Sequence, residues 1–254
     1  MSLSHERRLA TLTLALLLAL LAWDGSGLDM PLARLFGDSH GFALSQNSVL
    51  THGLHDGARL LSWLLVVGLT LAVWWPPAWL RPLQRIERLQ LVVSALSGAL
   101  AVALFKSFST TSCPWDLLAF GGTAQHVSHW LRAADGGSGH CFPAGHASSG
   151  FAFVGGYFAL QRSSPARART WLAVSLAAGL LLGVAQQARG AHFMSHTLWT
   201  GWLCWALAFG IDSTLRRRIA RKRLSAVPPA PPPPPWPMPV RPPAPADHSR
   251  PLRG

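Results

Sequence analysis

Six apolar runs, separated by short polar connections, constrain this chain more than any other feature. They lie at roughly Leu9–Trp23, Ala58–Trp75, Leu89–Phe105, Ala147–Leu160, Trp171–Ala188 and Thr197–Ile211. Charged residues make up 13% of the chain, against about 25% in a soluble domain. Several runs are shorter than the ~20 residues that cross a bilayer core, but a short helix packed among its neighbours still belongs to a bundle. The pattern predicts an all-α polytopic membrane protein, a six-helix transmembrane bundle.

Basic residues are distributed unevenly between alternate connections. Of the 22 Lys and Arg residues, 17 fall in the two terminal segments and in the second and fourth connections. Because basic residues accumulate on the cytoplasmic side, we expect a multi-pass protein of the bacterial inner membrane with both termini in the cytoplasm. The first run lacks a small-x-small cleavage pattern after Trp23, so we interpret it as an uncleaved anchor. The net charge of +12 is then a topology signal, and nucleic acid is not an expected partner.

The composition changes after Leu224. Thirteen of the last 30 residues are proline, and no apolar face can form there. We therefore predict a membrane domain over residues 1–224 and a disordered or polyproline II cytoplasmic tail over residues 225–254. A solvated extension is the simpler interpretation of this tail, and a ligand for a proline-binding protein is the alternative.

Histidines concentrate on the side that this topology makes external. Five of them lie in loops, where solvated polar residues are the ordinary interpretation: His40, His52, His126, His129 and His140. By contrast, His146, His192 and His196 lie where loops meet apolar helices. Ionisable groups at such a depth are costly and usually functional.

Three polar segments flank helices on this same side. They run from Lys106 to Leu117, from Cys141 to Gly150, and from Gln186 to Trp199. Because each adjoins the external end of a predicted helix, all three can meet in one pocket.

These segments resemble the three motifs of the phosphatidic acid phosphatase type 2 superfamily, over roughly residues 58–212. The family motifs are K-x6-R-P, P-S-G-H and S-R-x5-H-x3-D, in that order. Lys106 and Pro114 have the spacing of the first motif. The stretch Pro143-Ala144-Gly145-His146 matches the second with one change, and His192 matches the histidine of the third.

The resemblance implies a mechanism as well as a fold. His192 would attack phosphorus to form a phosphohistidine, which water then hydrolyses. His146 would protonate the leaving oxygen. Lys106 and an arginine would neutralise the phosphoryl oxygens, and backbone N–H groups near Gly145 would bind the same anion. The resemblance implies no metal and no other cofactor.

The first motif departs from the family pattern at one position. Its arginine is replaced by Cys113, and Asp116 follows two residues after the motif proline. We consider Asp116 a candidate for the negative charge that the third motif lacks. Its alternative role is that of a helix N-cap ahead of Leu117.

The third motif departs at two positions. The arginine expected six residues before His192 is Gln186, but Arg189 lies three residues later and can present its guanidinium from a similar face. The orienting aspartate is replaced by His196. A shifted register, with His196 as the nucleophile seven residues after Arg189, remains an alternative.

Two of the three cysteines, Cys113 and Cys141, lie on the external side, each beside a motif, whereas Cys204 lies in the sixth run. We predict a Cys113–Cys141 disulfide that ties the first motif to the second, worth about 3–4 kcal/mol by chain-entropy arguments. The alternative is two unpaired small residues.

The function that the resemblance implies is hydrolysis of a phosphomonoester or pyrophosphate on a lipid whose headgroup faces the periplasm. The expected partners are therefore a phosphorylated lipid substrate and the surrounding membrane lipids. Two alternatives remain open: a lipid-to-lipid phosphotransferase that uses the same intermediate, and a catalytically degenerate protein that binds phospholipid.

Overall fold

The computed structural model describes residues 3–131 and 133–225, apart from the side chains of residues 3, 55, 223 and 224. The protein is mostly helical, with 69% helix and few strands. Contacts divide the chain into two units, Met1–Arg217 and Arg218–Gly254. The proline-rich tail predicted over residues 225–254 lies outside the described residues, apart from Ser225.

The described residues form eight α-helices, one small hairpin and several shorter helical turns. The helices are α1 (Leu3–Ser26), α2 (Asp29–Ala33), α3 (Gly57–Leu71), α4 (Arg85–Ser107), α5 (Ser148–Phe151), α6 (Gly155–Leu160), α7 (Pro165–Ala188) and α8 (Met194–Ser225). The hairpin pairs β1 (Gly37–Asp38) with β2 (Gly41–Phe42) in antiparallel register. A π-helical stretch at Val49–Asp56 leads into α3, and a 3₁₀ turn at Ala152–Val154 joins α5 to α6. Three further 3₁₀ turns lie at Ala78–Leu80, Pro114–Asp116 and Leu118–Phe120.

Four helices in the described part of the chain are long and apolar enough to cross a membrane. They span Ser4–Ser26, Val49–Leu71, Arg85–Ser107 and Pro165–Ala188. A shorter apolar stretch covers Ser148–Leu160. Large apolar side chains such as Leu14, Leu61 and Leu181 are more than half exposed, which suits a surface that faces lipid. The protein is therefore a membrane protein, and four of the six predicted spans meet the length and hydropathy that a crossing requires.

Small residues allow the central helices to approach closely. Gly150 of α5 lies directly against the backbone of Ala178 and Gly179 in α7, with no room for a Cβ atom between them. Gly156 lies in the same way against the indole of Trp171. Such small-residue contacts are a common basis of helix packing in membranes, where apolar burial alone drives association weakly.

Polar contacts join the helix ends at the pole that carries the chain's amino end. His5 of α1 lies 3.1 Å from Gln161 through their side chains, and Arg217 of α8 donates to Glu6 at 2.9 Å. The Arg167 side chain at the start of α7 donates to the carbonyl oxygen of Trp79. Consequently α1 begins, α6 ends and α8 extends at this pole, while the motif-bearing ends of the helices lie at the other.

Candidate active site

Backbone hydrogen bonds hold the three motif segments together at one end of the bundle. The Cys141 N–H donates to Thr111 O at 2.9 Å, the Trp115 N–H to Gly190 O at 2.9 Å, and the Ala144 N–H to His196 O at 3.1 Å. Each bond joins two different motifs, so every pair among the three is linked directly. Segments separated by up to 75 residues are thereby fixed in one place.

A disulfide and a buried carboxylate reinforce this arrangement. Cys113 and Cys141 form a disulfide, with Cα atoms 5.2 Å apart. Asp135 accepts hydrogen bonds from the backbone N–H and the hydroxyl of Ser112, both at 2.7 Å, and from the Gly137 N–H at 3.0 Å. These three hydrogen bonds hold the pKa of Asp135 below its ordinary value, against the opposing effect of burial.

The residues that match the family motifs, Lys106, His146 and His192, meet at this end. The rings of His146 and His192 lie 5.9 Å apart between centroids. The Lys106 ammonium lies close to Gly145, 3.5 Å from where a Cβ atom on that glycine would be. His192 is 2% exposed, whereas His146 and Lys106 are only partly buried. The arrangement is a buried imidazole faced by a second imidazole and a lysine, open on one side.

His192 is held as a neutral ring by its surroundings. Burial lowers its pKa well below the ordinary histidine value, and the nearby His196, Lys106 and His146 add to this effect. Its Nδ1 atom lies 3.5 Å from the sulfur of Cys141. The Nε2 atom, on the far edge of the ring, is therefore the nitrogen left for chemistry, and a neutral imidazole carries the lone pair that a nucleophile needs.

His196 is also buried, at 1% exposure, but it packs among aromatic rings. Its centroid lies 5.3 Å from Phe142, 5.4 Å from Phe193 and 5.8 Å from His192, and among the described residues no hydrogen bond joins the two imidazoles. Its Nδ1 atom is buried without a hydrogen-bond partner in the described part of the chain.

Arg189, the candidate substitute for the third-motif arginine, is held by three hydrogen bonds at the end of α7. Its guanidinium donates to Ser45 O through Nε and Nη2, at 3.3 and 3.2 Å, and to Gln186 Oε1 through Nη1 at 3.1 Å. It also lies over the ring of Trp115, 5.9 Å from the centroid. Because three of its five donors bind these groups, Arg189 ties the end of α7 to the loop before α3.

Asp116 acts within its own segment. Its Oδ2 atom accepts from the Cys113 N–H at 3.2 Å and from the Ser138 hydroxyl at 3.1 Å. The contact with Cys113 caps the 3₁₀ turn Pro114–Asp116, one turn earlier than the helix start expected at Leu117. The carboxylate is thus used in capping and in binding the loop around Ser138.

A different carboxylate, Asp24 at the end of α1, lies beside the histidines. Its Oδ2 atom accepts from the indole N–H groups of Trp199 at 2.9 Å and Trp130 at 3.1 Å, and it lies 3.3 Å from His129 Nε2. The His129 ring stands edge-on to His196, with centroids 6.4 Å apart. Asp24 therefore places a buried negative charge one ring beyond His196, in the region where the family motif has its aspartate.

Asp24 was not predicted as a site residue from the sequence, and His129 was expected to be a solvated loop residue. His40, His126 and His140 are exposed loop residues, as expected, whereas His52 is exposed but lies in the π-helical stretch Val49–Asp56. The His129 side chain, by contrast, is only 10% exposed, because Phe142 stacks on its ring at 4.0 Å. The available signal was an acidic residue at the end of an apolar run, which is an unusual position.

A second aspartate, Asp29 at the start of α2, fixes the start of α8. Its Oδ1 atom accepts from the backbone N–H of Ser195 at 3.0 Å and from the indole of Trp23 at 2.9 Å. A carboxylate at a helix start satisfies an otherwise unpaired N–H and opposes the helix dipole. The helix that carries His196 thus begins against the end of α1.

The fold and the site define a helical membrane protein with two histidines and a lysine gathered at one end. The sequence pattern of the PAP2 superfamily matches residues 87–219, which cover all three motifs. The chain belongs to this superfamily, whose phosphatases generally act on phosphate esters. A search of curated proteins and a search of solved structures found no match.

Proposed function

We propose that the protein is an integral-membrane lipid phosphatase that hydrolyses a phosphomonoester or pyrophosphate of a lipid through a phosphohistidine. The observation that carries this proposal is the meeting of Lys106, His146 and His192 at one end of the bundle. Phosphoryl transfer depends mainly on positioning and on charge stabilisation, and these three side chains supply both.

Each of these residues has a defined role in the proposed reaction. The Nε2 atom of His192 attacks phosphorus while the bond to the leaving oxygen breaks, and His146 donates a proton to that oxygen. Lys106 stabilises the charge on the equatorial oxygens. Water then attacks the phosphohistidine, with His146 as the base, and inorganic phosphate and free His192 result. These steps use protein side chains and water alone.

Asp24 and His129 supply the charge that the variant third motif lacks. The imidazole of His192 becomes positive as its phosphorus bond forms, and a buried carboxylate nearby stabilises that charge. The pair of indole N–H groups on Asp24 holds its carboxylate in place. His196 lies between this pair and His192 and so acts as a positioning residue in the proposal.

An apolar groove supports a lipid as the substrate. Its volume is about 690 Å³, and it runs between α3 and α7, from Ser149 near His146 to Trp79 at the opposite pole. The walls include Leu61, Phe153 and Val174. A hydrocarbon chain in this groove leaves its headgroup beside His146.

We also propose six membrane spans with the site on the periplasmic side. The stretch Ser148–Leu160 and the first half of α8 supply the two crossings beyond the four long apolar helices. The disulfide at the site end suits an oxidising compartment, and the arginines of the opposite pole suit the cytoplasm of a bacterium.

The test is phosphate release by the purified protein from a panel of lipid phosphates, with and without chelator. His192→Ala and His146→Ala should each lower the rate by at least about 10²–10³, while His52→Ala, at an exposed histidine of the π-helical stretch Val49–Asp56, should not change it. Acid-labile, base-stable phosphate on the wild-type chain but not on His192→Ala would identify the nucleophile. Chelator-sensitive turnover, or label retained in His192→Ala, would contradict the proposal.

One observation favours a second candidate, a catalytically degenerate phospholipid-binding protein. Arg189 is held by hydrogen bonds to Ser45 and Gln186, and Cys113 replaces the arginine of the first motif. The phosphate pocket therefore has Lys106 but lacks the arginines that the family motifs add to it. Tight binding of lipid phosphates with no release of phosphate from any of them would decide for this candidate.

A further inference from the structure

Three potential metal ligands lie together behind the reacting face of His192. The sulfur of Cys141 and ring nitrogens of His192 and His196 all lie within 4.8 Å of one another, the one such buried group in the described part of the chain. The Cys141 sulfur and His192 Nδ1 are 3.5 Å apart. A tetrahedral zinc ion, with bonds of about 2.3 Å to sulfur and 2.0 Å to nitrogen, places such atoms about 3.5 Å apart.

The ligand set depends on the variant third motif. The family pattern has an aspartate where this chain has His196, and the change turns a hard oxygen donor into an imidazole. Thiolate and imidazole together favour soft or borderline cations such as Zn²⁺. His196 Nδ1 is buried and lacks a hydrogen-bond partner among the described residues.

The disulfide prevents the Cys141 sulfur from acting as a metal ligand. While Cys141 is bonded to Cys113, it has no thiolate to offer. We propose that reduction of the Cys113–Cys141 disulfide creates a binding site for a Zn²⁺-class cation at Cys141, His192 and His196. The bound cation prevents His192 from acting as the nucleophile. A dithiol reductant supplies two electrons and two protons and becomes a cyclic disulfide. Two thiols form, and the Cys141 thiol releases its proton when it binds the cation.

The sulfur keeps its place after reduction, because other bonds hold its segment. The Cys141 N–H bonds to Thr111 O, and Asp135 binds both the N–H and the hydroxyl of Ser112. Cys113 is only partly buried, so a small reductant reaches the disulfide from that side. Three protein ligands leave a fourth position for water or a phosphate oxygen.

Two single variants provide a matched test with Co²⁺ alone as the probe. Cys113→Ser and Cys141→Ser both lose the disulfide and both keep two thiols, but only the first retains the proposed ligand. We expect Cys113→Ser, without reductant, to bind one Co²⁺ per chain and to show a thiolate-to-cobalt charge-transfer band. Cys141→Ser should bind Co²⁺ more than about 100-fold more weakly, beyond the 10–100-fold that outer ligands control, and should lack the band.

The wild-type chain gives the same comparison without any substitution. The oxidised protein should bind no Co²⁺ at this site, and the protein reduced with a phosphine should gain the band. Equal spectra for the two variants, or no band in the reduced wild type, would overturn the proposal. The wild-type arm decides the matter if either variant fails to fold.

The loss of turnover rests on the proposed function, whereas metal binding does not. With a lipid phosphate that the oxidised protein hydrolyses, Zn²⁺ should stop phosphate release by Cys113→Ser, and a chelator should restore it. Cys141→Ser should be unaffected by the same Zn²⁺ concentration. If no lipid phosphate is hydrolysed under any condition, the proposed function fails while the Co²⁺ spectra still judge the metal site.

Discussion

The contact between Gly150 and α7 offers a direct test of how the site is held. A Cβ atom on Gly150 would lie 2.2 Å from the backbone nitrogen of Gly179 and 2.7 Å from the carbonyl carbon of Ala178. These are backbone atoms, so no side-chain rotation relieves the overlap. An ordinary contact begins near 3.4 Å, and Gly150→Ala therefore requires α5 and α7 to separate by about 1.2 Å.

Such a separation of α5 and α7 would move the imidazoles of His146 and His192 relative to each other. His146 lies two residues before the start of α5, and His192 follows the end of α7 by four residues. A misplacement of about 1 Å between reacting groups costs on the order of 10²-fold in rate, and overpacking of this kind costs about 1–3 kcal/mol of stability. We therefore expect phosphate release to fall about 100-fold in a protein that still unfolds cooperatively.

The assay compares phosphate release and the thermal unfolding midpoint in detergent for Gly150→Ala and a control. Gly210→Ala in α8 is suitable, because nothing lies within 4 Å of its added Cβ atom. Alanine is the better helix former there, so the control should keep its activity and its midpoint, or raise the latter. Wild-type rates and an unchanged midpoint for Gly150→Ala would refute the reasoning.

Three other predictions concern charge, the disulfide and pH. Asp24→Asn keeps the shape of the side chain but removes its charge, so phosphate release should fall about tenfold, less than the ~10²–10³ of a direct donor; an unchanged rate would show that Asp24 only positions the indoles. The double variant Cys113→Ser/Cys141→Ser should lose about 3.5 kcal/mol of unfolding free energy in denaturant titrations, a value that follows from the 28-residue separation of the bonded cysteines. Equal unfolding midpoints for the double variant and the wild type under non-reducing conditions would contradict this expectation. The pKa of His192 is lower in the folded chain than in the unfolded chain, so unfolding takes up a proton at this residue. The stability that the neutral His192 ring contributes should therefore be lost as the pH falls below about 6.5. The unfolding midpoint of His192→Asn should therefore decrease less between pH 7.5 and 5 than that of the wild type, and parallel curves would count against a neutral buried His192.

The site combines residues that the motifs identify with residues that they do not. Lys106, His146 and His192 stand at spacings that the family pattern shares, so they were predictable from the sequence. Asp24 was not, because its contacts with Trp130 and Trp199 join positions 106 and 175 residues apart. No local pattern encodes a contact of that separation.

Arg189 illustrates a different limit of prediction from sequence, namely the direction in which a side chain points. Helical periodicity correctly places it near the end of α7, but the direction of its guanidinium depends on which acceptors the neighbouring loop provides. Ser45 O lies 144 residues earlier in the chain and accepts two of its hydrogen bonds. Arg189, the candidate for the missing arginine of the third motif, is thus bound to groups that its own segment of sequence does not reveal.

What the sequence by itself determined is the helical membrane character, the order of the motifs and the position of Cys113 and Cys141, each beside a motif. These follow from local properties, since the transfer of an apolar helix into lipid and the side-chain chemistry of a motif depend on neighbours along the chain. What only the tertiary structure decided is the pairing of Asp24 with His129, the diversion of Arg189 to Ser45, and the grouping of Cys141 with His192 and His196. These depend on how closely α1, α5, α7 and α8 approach, which close packing between distant segments sets.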